Sequence, residues 1–359
     1  MKHIANQKIA LVHDYIKEFG GAERVLKTLS EMYPKAPIYT AFRVRGSTGD
    51  KEFKNKKIIE SWLAPLLKIW RLYSPLRFLA PLIWGSFDFS KYDLVITSCS
   101  WYIARGFKIG PNTRVIAYCH TPPRWLYGYE TSVGLTRYWP VKIYAAIVGH
   151  FMRMYDFNSA QKVDYFIANS KNVAKRIEKF YRRDATVIYP PVDVGEIIRE
   201  TKDVKKEDYY FIASRQVGAK GIEDALKASR QIGFKLKIAG EGSSLGAVDD
   251  KKLWELYAKA KGFIALARDE DFGMTVVEAQ AAGTPVIAFN GGGFKESIID
   301  GVTGILINGT DEKTLKTAVK RFESIKWDKE KLIANAKKFS KERFKKEMLS
   351  FINKYARTS

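Results

Sequence analysis

Short runs of consecutive apolar residues recur along this chain, each closed by glycine, proline or small polar residues and followed by a stretch of helical composition. Lys8 to His13 (KIALVH), Tyr92 to Ser98 (YDLVITS), Arg114 to Cys119 (RVIAYC) and Val163 to Ser170 (VDYFIANS) read as strands in the first half. Tyr210 to Ala213, the segment from Leu236, Phe263 to Leu266 and Val286 to Phe289 repeat the pattern in the second. Helices are predicted through Leu29, over Val173 to Tyr181, over Leu253 to Lys261 and over Met274 to Ala282. Strand, turn and helix in alternation describe open α/β sheets. Between the halves, Glu196 to Asp208 is charged and lacks a strong apolar period, which marks a linker. The expected domains are 1–190 and 208–338, joined by 191–207, with a basic amphipathic helix closing the chain over 339–359.

Candidate chemistry concentrates in Glu270 to Glu296, EDFGMTVVEAQAAGTPVIAFNGGGFKE. Phe272 and Gly273 can bend the chain so that their amides, with those of Met274 and Thr275, open onto the next helix. Amides at a helix start carry the positive end of the dipole and bind phosphate or sugar oxygens. Glu270 and Glu278 flank this bend, and carboxylates beside amides suit sugar hydroxyls. Thr275-x-x-Glu278 is equally a capping-box pattern, so Glu278 could serve only the helix start. Asn290-Gly291-Gly292-Gly293 follows the Val286 strand at its carboxyl end, where ligands bind in open α/β sheets.

Three further turns qualify. Gly20 and Gly21 (FGGAER) stand between the first strand and its helix, as a phosphate or sugar loop or as an ordinary strand-to-helix turn. Arg215 and Lys220 flank a glycine turn after the Tyr210 strand, where they could clamp a diphosphate or simply be solvated. His120 leads the strand-end loop HTPPRW, and a lone histidine there is as readily structural as functional. His13 is the weaker histidine candidate.

The stretch Glu270, seven residues, Glu278, then Ala279, Ala281, Gly283, Pro285, Val286 and Ile287, ending in Gly292, Gly293 and Glu296, closely resembles the signature of family-4 retaining glycosyltransferases. YCHTPPRWLY is similar to a branch of that family that builds surface polysaccharides, often with mannose. The resemblance implies the GT-B fold: two Rossmann-like domains facing a central cleft, with the last helix crossing back to the first domain. It implies that Arg215 and Lys220 hold the donor pyrophosphate with the amides of Phe272, Gly273, Met274 and Thr275. Glu278 would take the nucleotide ribose, Glu270 the donor sugar and His120 the reacting face, with Gly20 and Gly21 near acceptor and phosphate. No metal and no cofactor are implied beyond a GDP- or UDP-linked sugar. One departure stands out: the helix and strand that relatives place after Gly242 are missing, which leaves base preference open.

Composition narrows the partners. Sixty-one Lys and Arg against 39 Asp and Glu give a net charge of +22, so anionic partners are expected, although no nucleic-acid motif is present. Hydrophobic content of 46% excludes wholesale disorder. Cys99 and Cys119 are expected to be buried free thiols. Without a signal-peptide pattern or about twenty uninterrupted apolar residues, the expected location is cytoplasmic. Lys54 to Trp84 alternates basic residues with Trp62, Leu66, Leu67, Trp70, Leu72, Phe78, Leu79, Ile83 and Trp84, which suggests contact with an anionic membrane on its inner face and hence a lipid-linked acceptor. Packing of the same segment on the sheet is the plainer alternative. Behind the transferase stand an epimerase of the same fold, a soluble glucan synthase or phosphorylase, and a noncatalytic basic protein that binds membrane or nucleic acid.

Overall fold

In the computed structural model, which describes residues 7–69, 73–129, 139–214 and 220–355, the apolar runs become strands of two parallel sheets. The chain divides into one unit of Met1–Tyr189 with Lys345–Ser359, and another of Pro190–Phe344. Each is α/β and Rossmann-like.

The first unit holds β1 (Ile9–His13), β2 (Ile38–Thr40), β3 (Ile58–Glu60), β4 (Leu94–Cys99), β5 (Arg114–Cys119), β6 (Tyr165–Ala168) and β7 (Ala185–Val187). Their order is β3-β2-β1-β4-β5-β6-β7, so the winding reverses between β1 and β4. Leu11 lies opposite Ile38 on one side and Ile96 on the other. Both β1 and β4 are buried along their whole length, as continuous apolar runs covered on two faces must be. The closing helix Lys341–Tyr355 carries Met348, Phe351 and Ile352 into buried positions. Its Tyr355 ring lies 4.2 Å from that of Tyr165, and Lys345 pairs with Glu31 at 2.9 Å.

In the second unit β8 (Tyr210–Ala213), β9 (Leu236–Ala239), β10 (Gly262–Ala265), β11 (Val286–Phe289) and β12 (Gly304–Ile307) lie in the order β12-β11-β10-β8-β9. Here the reversal falls between β8 and β10. Ile212, Ile238, Ile264, Ile287 and Ile305 form one core with Leu315 and Phe322. Burying each such side chain contributes about 1.5–3 kcal/mol, so a single charge at Ile264 would disrupt the sheet. Helix Met274–Ala281 is buried at Val276 through Ala281. Its one central amide is satisfied: Gln280 Nε2 donates to the Ser297 carbonyl at 2.9 Å, and its Oε1 accepts from Asn335 at 2.8 Å. Gly283, at φ +74°, ends the helix in the left-handed conformation that residues with a Cβ resist.

Two segments differ from the sequence reading. Residues 191–207, expected as a linker, fall inside the second unit, and Val194–Glu200 is a helix with Val194 and Ile197 buried. Its two apolar anchors are too few to register as a period. A 23-residue helix, Trp139–Gln161, stands where the sequence reading predicted no element. It is apolar on more than one face, which blurs the amphipathic signal. Among the described residues, no helix is long and apolar enough to cross a membrane.

At the amino-terminal edge of the second sheet, Lys206 is exposed as a residue but its ammonium is held against the protein. Its Nζ donates to the Ala260 carbonyl at 2.9 Å and to Thr284 Oγ1 at 2.5 Å. Burial, and then the charge of Lys329, push its ammonium down to about 7.

Candidate active site

The carboxyl edge of the second sheet gathers most of the residues singled out in sequence. After β10 the chain runs through Glu270 and Phe272 to Gly273, which at φ +88° begins helix Met274–Ala281 with no side-chain cap. The first amides of a helix have no partner within it, so this start presents donors backed by the dipole. Lys220, at the foot of helix Ile222–Ile232, donates from Nζ to Glu270 Oε2 at 2.6 Å. Glu270 also packs beside the helix start, for a Cβ placed on Gly273 would lie 3.4 Å from its Cγ. Cation, carboxylate and open amides therefore share one corner at the β8–β10 reversal, where ligands of open α/β sheets bind. Arg215 lies outside the described residues.

Glu278 does not close a capping box. The helix begins at Gly273 without side-chain capping, and Glu278, 5% exposed, accepts from the Tyr257 hydroxyl at 3.1 Å. Tyr257 comes from helix Asp250–Lys259, and no spacing in the sequence linked the two.

The glycine run after β11 has a role its sequence did not reveal. A Cβ on Gly292, at φ +54°, would overlap the Glu270 carbonyl oxygen, and one on Gly293 would overlap the backbone at Asp271 and Phe272. The Gly293 amide donates to the Glu270 carbonyl at 2.9 Å. These glycines hold the Glu270–Gly273 bend by backbone-to-backbone contact, which only glycine permits.

At the carboxyl edge of the first sheet the groups are bound to one another. The Ser98 hydroxyl, at the end of β4, lies 2.8 Å from His120 Nε2 and 3.0 Å from His13 Nδ1. His13 Nε2 in turn lies 3.5 Å from Glu23 Oε1, and Glu23 Oε2 accepts from the Gly20 amide at 3.0 Å. Gly20 and Gly21 therefore open helix Gly21–Met32 under the control of Glu23, with Gly21 itself exposed. Burial, and then the charge of His13, push the His120 imidazole down to about 3, so it is uncharged at neutral pH. Asp14 extends the cluster: its two oxygens accept from the Ser100 amide and hydroxyl at 2.8 and 3.1 Å and from the Ala104 amide at 3.1 Å. Burial pushes its carboxyl up. The sequence singled out His120 and rated His13 lower, and passed over Ser98 and Asp14; short polar residues at strand ends are too common to stand out.

Cys99 and Cys119 are buried, free and opposite each other in the β4–β5 register. Burial drives the Cys119 thiol far up, and it is not a nucleophile. Among the described residues no cluster of His, Cys, Asp or Glu could hold a metal ion.

The segment 54–84 divides between core and surface. Ala64, Leu67, Ile83 and Trp84 are buried, and the Trp84 indole donates to the Tyr102 carbonyl at 2.8 Å. Trp62 is 66% exposed, and Leu66, Ile69, Phe78 and Leu82 are also exposed, whereas Trp70 and Arg71 lie outside the described residues. Helix Trp139–Gln161 adds a second exposed set, Trp139, Ile143, Ile147, Phe151 and Met154, whose spacing keeps them on one face.

Residues 19–196 match the family model described as Glycosyltransferase Family 4, and residues 243–339 match Glycosyl transferases group 1. An uncharacterised glycosyltransferase of Methanocaldococcus jannaschii is 26% identical over 216 residues, 55% of this chain and 59% of that protein. The O-antigen chain mannosyltransferase RfbU of Salmonella typhimurium is 26% identical over 192 residues, 46% of this chain and 53% of the relative. The match thus spans little more than half the length of either. Among solved structures, sucrose-phosphate synthase from Thermosynechococcus elongatus superposes with a TM-score of 0.68 at 17% identity, covering 99% of this chain and 100% of that one. HepE from Anabaena, in complex with UDP and glucose, superposes with a TM-score of 0.65 at 16% identity, covering 97% and 100%.

Proposed function

This chain belongs to glycosyltransferase family 4, with the GT-B fold, and from that premise we propose that it moves a hexose such as mannose from a GDP- or UDP-linked donor to a glycan acceptor. The observation that carries this is the corner at the second sheet's carboxyl edge, where Lys220, Glu270 and the helix start at Gly273 converge. When the bond between the sugar C1 and the phosphate oxygen breaks, negative charge grows on the diphosphate and positive charge on the sugar. Lys220 and the amides of Gly273 to Thr275 meet the first as donors already in place, and the family resemblance assigns Arg215 to the same diphosphate. Glu270 holds the sugar, Glu278 the ribose, and His120 the reacting face. The acceptor oxygen bonds to C1 on the face the diphosphate leaves, so configuration is retained, and its proton passes to the departing phosphate. Cationic side chains and amides, rather than a metal ion, carry the charge in this reading.

The acceptor is read as lipid-linked, with the first unit resting on an anionic bilayer. Supporting this are the two exposed apolar sets, one around Trp62 and the other running from Trp139 to Met154. Both border the turn Arg124–Leu126: Arg77 lies 4.1 Å over the Trp125 ring, and Arg153 Nη1 donates to the Leu126 carbonyl at 3.4 Å. The single acid of the long helix, Asp156, is buried against Arg105, so its outer face bears no negative charge. A bilayer of anionic lipid matches a chain of +22, whereas a second copy of the chain would be repelled.

Calorimetric titration with GDP, UDP and ADP tests the donor reading, with one nucleotide expected to bind and to weaken in Glu278→Ala. If none binds, even with acceptor and membranes present, a noncatalytic basic protein explains the chain better. Flotation with phosphatidylglycerol vesicles tests the acceptor reading. Co-flotation that is lost with phosphatidylcholine alone and reduced in Phe151→Asp is expected. Failure to float, or concentration-dependent dimers that lipid does not alter, would overturn it.

A further inference from the structure

The amino-terminal edge of the second sheet encloses a cavity of about 420 Å³, a size common among small-molecule sites. Its walls are the residues that lead into β8, β10 and β11, among them Lys206, Lys261, Gly283 and Pro285, together with the start of helix Lys329–Lys337. The Lys220–Glu270 corner lies at the other end of these strands. Strands of four residues keep the two places roughly 13 Å or more apart, so one phosphate cannot serve both.

Two ammonium groups meet at this cavity, and no carboxylate is bound to either. Lys206 Nζ donates to the Ala260 carbonyl and to Thr284 Oγ1, which uses two of its three protons. Thr284 gives its own proton to the Tyr257 carbonyl at 2.6 Å, so towards Lys206 it only accepts. The third ammonium proton is left for the cavity. Lys329 lies along the backbone of Gly283, where an added Cβ would stand 2.9 Å from its Cγ and Cε. Its charge acts on Lys206, and among the described residues it has no hydrogen bond or ion pair. The acids nearby are turned to other partners. Glu207 lies 3.1 Å from Lys237 and 3.2 Å from Lys259, and Asp208 lies 3.7 Å from Lys261. Lys261 itself is held by Glu323 at 2.5 Å. Asp328 caps the helix, accepting from the amides of Glu330 and Lys331. Like charges held together repel, and an anion between them relieves that repulsion.

The remaining wall is apolar. Trp327 donates its indole N–H to the Phe322 carbonyl at 3.0 Å, so it meets the cavity with its ring, beside Pro285 and the buried Leu332. We propose that this cavity is a second ligand site, taking a small organic phosphate with its phosphate between Lys206 and Lys329 and a ring against Trp327. A carboxylate brings one charge to two cations, whereas a phosphate monoester brings nearly two above about pH 6. An inorganic ion would leave the Trp327 wall bare. Binding also holds the third proton on Lys206, whose ammonium otherwise titrates near 7. Affinity therefore falls as pH rises from 7 to 9, because the free lysine loses the proton that the ligand needs.

Calorimetry of the whole chain with phenyl phosphate, and with inorganic phosphate for comparison, tests the site. Lys220→Ala serves as the reference, because it takes the cation from the opposite corner. In that background phenyl phosphate is expected to bind at one site, more tightly than inorganic phosphate and with proton uptake at pH 8. Adding Lys329→Gln is expected to weaken it about tenfold to a hundredfold, as loss of a charge-assisted contact does. Lys329→Gln alone should leave nucleoside diphosphate affinity unchanged. Lys206→Met should remove the proton uptake, and because that variant also loses two internal hydrogen bonds, the exposed Lys329 provides the arm that folding does not confound. Absence of saturable binding, binding that Lys329→Gln leaves intact, or equal affinity for inorganic phosphate overturns the proposal. Failure of every nucleotide to bind would remove the transferase reading and leave this site standing.

Discussion

The carboxyl edges of the two sheets solve the same problem with different materials. In the second unit the Glu270–Gly273 bend is held by backbone: Gly292 and Gly293 press against it where any Cβ would collide. The groups it presents, amides and the Lys220–Glu270 pair, are charged or strongly dipolar and half exposed. In the first unit the groups are held by side chains alone, in a sequence of hydrogen bonds from Glu23 through His13 and Ser98 to His120. That edge is buried and uncharged at its tip. A backbone clamp tolerates no change in shape, whereas a chain of side chains tolerates small shifts but not the loss of a member.

Breaking the backbone clamp should have the largest effect. Gly293→Ala is expected to cost about 3 kcal/mol or more in denaturant unfolding and to abolish nucleotide binding in calorimetry. A variant that keeps both would show that the clamp is not what holds the bend. Next comes Lys220→Ala, expected to weaken nucleoside diphosphate binding roughly tenfold to a hundredfold, as lost charge-assisted hydrogen bonds do. His120→Ala should leave that affinity nearly unchanged and reduce turnover. Comparable losses of affinity from both would erase the distinction between the edges.

Lys206, at the opposite edge of the second sheet, provides a pH control. Its ammonium titrates near 7 in the fold and near 10.5 unfolded, so within that window the unfolded chain binds the extra proton. Stability should therefore rise with pH from 7 to 9, by well under about 1.4 kcal/mol per unit because Lys206 is exposed and solvent screens the effect, and Lys206→Met should flatten the rise. An unchanged slope in the variant would show that Lys206 stays charged. The smallest expected effect is that of Tyr257→Phe, which removes one hydrogen bond to Glu278 and should weaken nucleotide binding by about 1 kcal/mol.

The same contrast explains what could be read from the chain before its structure. A helix start and the glycines that later contact its backbone lie within one short stretch, so Glu270 to Gly293 stood out in the sequence. Apolar runs likewise announced β1, β4, β5, β8 and β11, because strands covered on both faces leave a continuous signal. Ser98 meets His13 across 85 positions and His120 across 22, and nothing local marks such a meeting. The Tyr257–Glu278 contact was hidden for the same reason. Helix Trp139–Gln161 escaped because its exposed face is apolar, so the usual polar stripe is missing. The missing helix and strand after Gly242 correspond to a sheet that ends at β9, an observation about architecture that leaves the choice of base to experiment.

The first unit is written in two pieces, with the whole of the second unit spelled out between Tyr189 and Lys345. A ribosome must therefore finish the second sheet before helix Lys341–Tyr355 exists. Until then the Tyr165 face waits without Phe351 and Tyr355, and Glu31 without Lys345. Assembly of the first unit thus waits on Lys345–Tyr355, and a chain broken off before Lys345 would hold a complete second unit beside an unfinished first.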